Sequence, residues 1–226
     1  MRVLAIDTAL AACSVAVVDT ADEGAPAFVA SLAMERGHAE ALMPEVARAL
    51  DAAGGLESVE RIAVTVGPGS FTGLRVGIAC ARALGLGAGL PVVGVTTLSA
   101  LAAPLLVRDD AVPIATAIDA RHGRVFFQAF APDGRPLVSA RLVEARDAAR
   151  SIGGGPALVV GSGADAVTAA AQDATIKRAD PQLDTPDPTW VARLGAACDL
   201  ALSPPKPLYL KAADAHPQER GRIARI

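Results

Sequence analysis

Two aspartates that each end a short apolar run have the clearest chemical potential in this sequence. They are Asp7, near the start of the chain, and Asp119, near its middle. Carboxylates placed between two lobes could hold the water shell of a magnesium ion, and Thr8 and Ser14 could then contact phosphate groups. The alternative is that each aspartate bonds the backbone that follows it and closes a turn. The residues favour the turn, because the loop after Asp7 has no glycine that would let a phosphate approach closely.

A glycine-rich segment follows one predicted strand and begins a predicted helix: Gly67, Pro68, Gly69, Ser70, Phe71, Thr72 and Gly73. Backbone N–H groups at such a junction can bind an anion. The segment lacks the Gly-Lys-Ser/Thr ending of a Walker-type loop, and its glycine spacing differs from the dinucleotide fingerprint. Small residues also recur every four positions along the helix, at Gly73, Gly77, Ala81 and Gly85. Such a smooth ridge permits close approach of another helix, so spacing favours packing or partner contact over phosphate binding.

Other chemistry-bearing residues form no recognisable site. The three histidines share no metal-ligand spacing, and the three cysteines form no CxxC pair. One tryptophan and one tyrosine are too few for a base-stacking platform. The sequence therefore predicts no catalytic residue and no metal site.

Composition limits the class of protein. The 226 residues are 52% hydrophobic but only 3% aromatic, which predicts a core of alanine, valine and leucine. The net charge of -3 gives no general attraction to nucleic acid, and only the tail from Pro204 onward is basic. At the start of the chain Asp7 interrupts the apolar run before it reaches the length of a signal-peptide core, and no later run approaches a membrane span. We expect a soluble, cytoplasmic protein with no membrane contact.

Hydrophobic periodicity predicts an α/β fold in which one order of elements occurs twice. Three strands, a helix, a strand, a helix and a strand are followed by a further helix and then by a similar set. Ala5-Ile6-Asp7 resembles Ala117-Ile118-Asp119, and Val66–Gly69 resembles Val160–Gly163. We expect two related lobes, each with a mixed sheet flanked by helices. The predicted boundaries are 1–108 for the first lobe, 109–203 for a smaller second lobe, and 204–226 for a tail that packs back on the first lobe.

Several motifs together resemble the TsaB (YeaZ) family. They are the start Met1–Ala9 with Ala12–Ala16, the block Gly67–Ile78, and the shorter segments Gly94–Leu98, Ala117–Arg121 and Pro207–Lys211. The resemblance covers nearly the whole chain and is weakest from Ser151 to Ala201. It implies a duplicated actin-like ATPase (ribonuclease H-like) fold. It also implies a role in making N6-threonylcarbamoyladenosine in tRNA, beside the catalytic subunit TsaD and the small ATPase TsaE, with the adenylate supplied by TsaC.

The resemblance also implies a non-catalytic role. TsaD carries a His-x-x-x-His pair that binds its metal, whereas Thr97 and Leu101 occupy the corresponding positions here. A hydroxyl and a leucine cannot replace two imidazoles at a transition-metal site. The family's partner contact uses two helices of the first lobe. We therefore expect TsaD, or a second copy of this chain when TsaD is absent, to bind at these residues: Leu42, Val46, Leu50, Gly73, Gly77 and Ala81.

Three questions stay open at the level of sequence. The chain itself requires no cofactor by this interpretation, but ATP or ADP with magnesium could bind at a subunit interface. Contact with tRNA is expected only through the complex. The alternative functions are an autonomous actin-like ATPase or kinase that uses Asp7 and Asp119 with magnesium, and a metallopeptidase.

Overall fold

A computed structural model describes residues 1–22, 26–108 and 111–211 of the chain. The first part contains β1 (Arg2–Asp7), β2 (Ala12–Asp19), β3 (Phe28–Ala33), α1 (His38–Ala53), β4 (Arg61–Gly67), α2 (Phe71–Ala88), β5 (Val92–Thr96) and α3 (Thr97–Leu106). The second part contains β6 (Ile114–Asp119), β7 (Arg124–Phe130), β8 (Pro136–Glu144), α4 (Ala145–Ile152), β9 (Ala157–Val160), α5 (Ala164–Ala170), β10 (Ile176–Arg178) and α6 (Pro188–Ala197).

The two described sheets have the same topology. The first has the strand order β3-β2-β1-β4-β5, and the second has the order β10-β9-β6-β7-β8, which is the same pattern written from the opposite edge. In each sheet the first three strands form an antiparallel meander and the last two are added in parallel. Asp7 ends β1 and Asp119 ends β6, so the two aspartates are equivalent. The predicted arrangement of two related lobes, each with a mixed sheet flanked by helices, is confirmed.

Local sequence explains where the first two helices begin and end. Helix α1 ends at Gly54, which has a left-handed conformation and whose N–H bonds the carbonyl groups of Leu50 and Asp51. Helix α2 begins after Ser70, whose hydroxyl accepts the N–H of Gly73. Both helices pack on one face of the first sheet, where Leu42 and Leu74 lie in the same core cluster as Ile6. The glycine-rich segment thus forms a turn and helix start at the end of β4.

Each sheet receives one covering helix from the other half of the chain. Helix α6 packs on the free face of the first sheet, where Val191 joins Val3 and Val95. Helix α3 packs on the second sheet, where Leu101 joins Ile118. The predicted boundaries at 108 and 203 therefore do not separate two self-contained lobes. A linear division fails because α3 precedes its sheet and α6 follows the whole second lobe.

Arg61 at the start of β4 fixes the end of α6. Its Nη1 donates to the carbonyl oxygens of Gly195, Ala196 and Cys198 at 2.9–3.0 Å. A cation at a helix C-terminus satisfies carbonyl groups that have no partner within the helix and interacts favourably with the helix dipole. This one side chain therefore links the first sheet to a helix that lies far away in sequence.

We expect Arg61→Met to lower the free energy of unfolding by about 2–3 kcal/mol, because buried helix-end carbonyls lose a charged donor. Urea denaturation followed by circular dichroism measures the change. Arg82→Met, at an exposed position on α2, is the matched control and should change stability by less than about 0.5 kcal/mol. Equal stabilities for the two variants would contradict the assignment.

Residues 203–211, here named the C-terminal strap, return to the first lobe after α6. The Gly94 N–H donates to the Ser203 carbonyl at 2.9 Å, and the Leu208 N–H donates to the Val66 carbonyl at 2.7 Å. Leu210 packs on the core that α3 shares with the second sheet. The strap thus touches both lobes, while residues 212–226 of the predicted tail lie outside the described residues.

Within the described part of the chain, none of the helices is both long enough and apolar enough to cross a membrane.

Candidate functional site

A cleft of about 800 Å³ lies between the two lobes and is here named the interlobe cleft. The first lobe contributes the loop after β1, the segment before α1 and the residues Pro68–Phe71. The second lobe contributes the end of β6 with Asp119 and Arg121, together with Ser162 and Asp184. Leu208–Lys211 of the C-terminal strap completes the wall. Acidic and basic side chains both line the cleft, so it has no single sign of charge.

Asp7 does not face this cleft. Its side chain is fully buried, and its Oδ1 accepts the Thr65 hydroxyl at 2.6 Å and the Ala9 N–H at 3.0 Å. Its Oδ2 is buried without a hydrogen-bond partner among the described residues. Burial raises the pKa of Asp7 to about 6, although the Thr65 and Ala9 hydrogen bonds and the nearby His38 act in the opposite direction. Asp7 is therefore a turn-forming carboxylate that resists ionisation.

Thr8 and Ser14 are also buried by the first lobe itself. The Thr8 hydroxyl donates to the Gly73 carbonyl at 2.7 Å, and the hydroxyl groups of Ser14 and Ser31 share a hydrogen bond of 2.8 Å. Neither residue lines the interlobe cleft. The structure gives no support to the predicted phosphate contacts of these two hydroxyls, because both groups bond neighbouring elements of the first lobe.

Asp119 is the one member of the predicted nucleotide set that lines the interlobe cleft. It is exposed, and its Oδ1 accepts the N–H of Arg121 at 2.8 Å, which repeats the turn made by Asp7. A magnesium ion held between the lobes would need both carboxylates at the cleft, and the buried Asp7 cannot supply one. The residues present do not fit the predicted magnesium site. Within the described ranges, no group of three histidine, cysteine or acidic side chains could hold a metal ion.

The glycine-rich segment packs against the loop that follows β1. A Cβ added at Gly69 would overlap the Ala9 carbonyl oxygen, and one at Gly73 would overlap the Thr8 carbonyl oxygen. Gly67 has a φ of +111° and lies against the Leu208 carbonyl, so a side chain there would be both strained and crowded. These glycines are explained by close backbone approach within the chain. The structure gives no geometric support to a phosphate cradle.

The six residues predicted to bind a partner face the first lobe's own core. Leu42, Val46 and Ala81 are at most 1% exposed, and Leu50 is half-buried against the same cluster. Gly73 and Gly77 lie over Thr8, and a Cβ at Gly77 would overlap the Thr8 hydroxyl. Their burial within the chain does not favour a partner surface at these six residues, and that assignment stays a prediction. Their four-residue spacing reports the close contact of α1 and α2 with the sheet beneath them.

A patch of apolar, mostly small side chains lies on the outward side of α1 and α2, alongside exposed charged residues that include Glu40, Arg48 and Arg82. This patch is here named the α1–α2 face, whose residues are Ala39, Met43, Ala47, Val76, Ala79, Cys80 and Ala83. Met43 is 50% exposed, and its sulfur lies 3.5 Å from the Cys80 thiol, which joins the two helices at the surface. Small side chains allow another helix to approach closely. The sequence indicated these two helices but not which side of them is free.

The two positions at which TsaD would carry its metal-binding histidines, by the resemblance, are buried in this chain. Thr97 and Leu101 are both fully buried in α3, and Leu101 packs in the core shared with the second sheet. The Thr97 hydroxyl has no hydrogen-bond partner among the described residues. Packed side chains therefore occupy the place where the resemblance would put metal ligands.

An aromatic cluster at the rim of the interlobe cleft was not expected from the sequence. The rings of Phe71 and Tyr209 lie 5.2 Å apart, and the guanidinium of Arg75 lies 3.8 Å from the centre of the Phe71 ring. Arg75 Nε also donates to the Tyr209 hydroxyl at 3.2 Å. Residues that are 134 positions apart meet here, so no local pattern could have indicated the cluster. It joins the strap to the first turn of α2.

The chain matches known proteins over most of its length. A sequence model for TsaD, tRNA N6-adenosine threonylcarbamoyltransferase, matches residues 29–179. The "tRNA threonylcarbamoyladenosine biosynthesis protein TsaB" of Escherichia coli is 40% identical over 134 residues, which are 59% of this chain and 56% of that protein. An uncharacterised protein of Mycobacterium tuberculosis is 35% identical over 95% of this chain and 94% of its own length.

The chain belongs to the TsaB (YeaZ) family. The solved structure of YeaZ from Pseudomonas aeruginosa agrees, with a TM-score of 0.76 at 27% identity over 92% of this chain and 99% of that one. The match to the Escherichia coli TsaB spans only about half of that protein's length. Family membership therefore fixes the fold here, whereas activity and partners need a separate argument.

Proposed function

We propose that this chain is a non-catalytic scaffold subunit for threonylcarbamoyl transfer to the adenosine beside the anticodon of tRNA. In this proposal it binds and supports the catalytic subunit TsaD together with TsaE, and it meets tRNA only as part of that complex. The observation that supports the proposal is the α1–α2 face, a partly exposed patch of mostly small apolar side chains. It lies on the two helices where the resemblance implies partner contact. The names of its relatives supply the reaction.

We propose no catalytic role for this chain because the two positions in α3 that correspond to the metal-binding histidines of TsaD hold other, buried side chains. Thr97 and Leu101 are buried, so the catalytic metal would have to be bound by TsaD. The alternative of an autonomous ATPase is less well supported, because Asp7 cannot reach the interlobe cleft. ATP turnover by the purified chain tests that alternative directly. Robust turnover that Asp119→Asn abolishes would overturn the scaffold proposal.

Ala79→Glu is expected to abolish binding to TsaD. Ala79 is exposed on α2 within the α1–α2 face, and a carboxylate placed there would lose its hydration in an apolar helix–helix contact. We expect the dissociation constant for TsaD to rise about 100-fold or more, measured by isothermal titration calorimetry with purified subunits.

The matched control is Ala169→Glu, an exposed alanine on α5 of the second lobe. It should bind TsaD like the unchanged chain, and both variants should keep the original thermal midpoint. Equal binding by the two variants would contradict the placement of the interface. In a reconstitution with TsaC, TsaD, TsaE, ATP, threonine, bicarbonate and tRNA, the modified base should form with the control and not with Ala79→Glu.

A further inference from the structure

Three of the four edge strands in the described sheets are protected against pairing with another chain. The C-terminal strap covers β5, since the Gly94 N–H bonds the Ser203 carbonyl. Strand β8 begins at Pro136 and carries Arg141, and β10 has only three residues, with Lys177 and Arg178 exposed. Proline, short length and charged side chains are the usual devices that block an edge.

The fourth edge strand, β3, has none of these devices. Its six residues, Phe28–Ala33, include no charged residue and no proline, and no other described strand pairs with its outer edge. Two large apolar side chains are open to solvent on it, with Val29 45% exposed and Leu32 37% exposed. An uncharged edge with free backbone N–H and C=O groups is a template for a further strand.

The register of β3 defines which of its side chains share a face. Phe28 and Leu32 lie opposite Val17 and Cys13 of β2, so they point toward the side of the sheet that α1 and α2 cover. Val29 lies opposite Ala16 and points toward the side that α6 covers. Apolar side chains are therefore available on both faces of this edge.

We propose that β3 pairs with β3 of a second copy of this chain, antiparallel across a two-fold axis perpendicular to the sheet. Such an axis keeps the two faces continuous, so residues opposite each other must lie on the same face. The register with Ala30 on the axis satisfies this condition. It places Phe28 opposite Leu32 of the second copy and Val29 opposite Ser31 of the second copy, and the two-fold axis repeats each of these pairs.

A second copy suits this edge because the strand is complementary to itself. Because β3 has no charged residue, its pairing opposes no like charges within the strand, and it places the larger apolar side chains Phe28 and Leu32 opposite each other. It also leaves the α1–α2 face free, so the proposal is independent of TsaD binding. Only five residues of each β3, Phe28–Leu32, lie opposite β3 of the other copy. The interface is therefore small, and we expect a dissociation constant on the order of tens of micromolar.

The oligomeric state tests the proposal. In a chain that carries Ala79→Glu to block the α1–α2 face, sedimentation equilibrium should still show a monomer–dimer equilibrium. Val29→Lys added to that chain should raise the dissociation constant about tenfold or more, because lysine blocks an edge strand. Leu137→Lys on the already protected β8 edge is the matched control and should change nothing. A chain that stays monomeric without Val29→Lys, or a dimer that survives it, would overturn the proposal.

A cross-link tests the register. The partly exposed thiols of Cys80 and Cys198 are first replaced with serine. Ala30→Cys should then give a covalent dimer on mild oxidation, because directly opposed residues of antiparallel strands lie about 4.5–5.5 Å apart between Cα atoms. Ala33→Cys at the strand end lies opposite Ala27 of the second copy and should give no covalent dimer. Equal cross-linking at both positions would refute this pairing.

Discussion

Gly77→Leu is expected to lower the free energy of unfolding by about 3 kcal/mol or more, which is a large fraction of the total stability of a typical protein. Gly77 is buried on the inner side of α2, and even a methyl group there would overlap the Thr8 hydroxyl. A leucine must displace the loop after β1 and break the hydrogen bond from Thr8 to the Gly73 carbonyl. The gain in helix propensity, about 1 kcal/mol, is too small to compensate.

Thermal unfolding followed by circular dichroism measures this effect. Gly87→Leu is the matched control, since it makes the same change on the same helix, where nothing lies within 4 Å of an added Cβ. This control should be as stable as the unchanged chain or slightly more stable. A folded Gly77→Leu chain with a normal thermal midpoint would show that this side of α2 is free, as the spacing of small residues first indicated.

Asp7→Asn is expected to remove a pH dependence from the stability of the protein. The pKa of Asp7 is about 6 in the folded chain and 3.8 in the reference state, so the folded state binds more protons between these values. The free energy of unfolding therefore falls as the pH rises from about 4 to about 6, by about 2–3 kcal/mol for this group alone. Asparagine has no ionisation in this range, so this part of the slope should vanish.

Urea denaturation at pH 4.0, 5.0, 6.0 and 7.0 measures the slope. The oxygen of the introduced amide could still accept the Thr65 hydroxyl and the Ala9 N–H. We therefore expect the change in the free energy of unfolding caused by Asp7→Asn to be more favourable at pH 7 than at pH 4. Asp119→Asn is the matched control, because it changes the equivalent carboxylate at an exposed position and should leave the slope in place. A similar slope in the Asp7→Asn chain would contradict the burial of that charge.

Much of the fold could be predicted from local patterns. The alternating apolar residues of β1 and β2, the four-residue periodicity from His38, and the helix after Ser70 gave the elements of the first lobe close to their observed bounds. The repeated Ala-Ile-Asp ends of β1 and β6 indicated the duplication. Patterns of this kind work because the period of side-chain burial is set by the helix or strand itself.

Element pairing and helix orientation could not be predicted in the same way. The small residues of α2 indicate that something approaches closely, but the same spacing suits the chain's own sheet or a partner helix. The sequence also left α6 undetected, and only its contacts with Val3 and Val95 show why it is apolar. The role of Asp7 could not be predicted for the same reason. Its sequence context suits a turn or a metal ligand, and its burial in the structure favours the turn.

The exchange of covering helices between the two halves has a consequence for synthesis on the ribosome. The first sheet is made early, but its α6 face cannot be covered until residues 188–197 have emerged. Until then the side chains that α6 covers would be exposed to solvent in the nascent chain, among them Val3, Ala5, Ala16 and Val18. A fragment that ends at residue 108 should therefore aggregate, because exposed apolar surface drives self-association. The lobes must complete their folding together, late and as one cooperative unit.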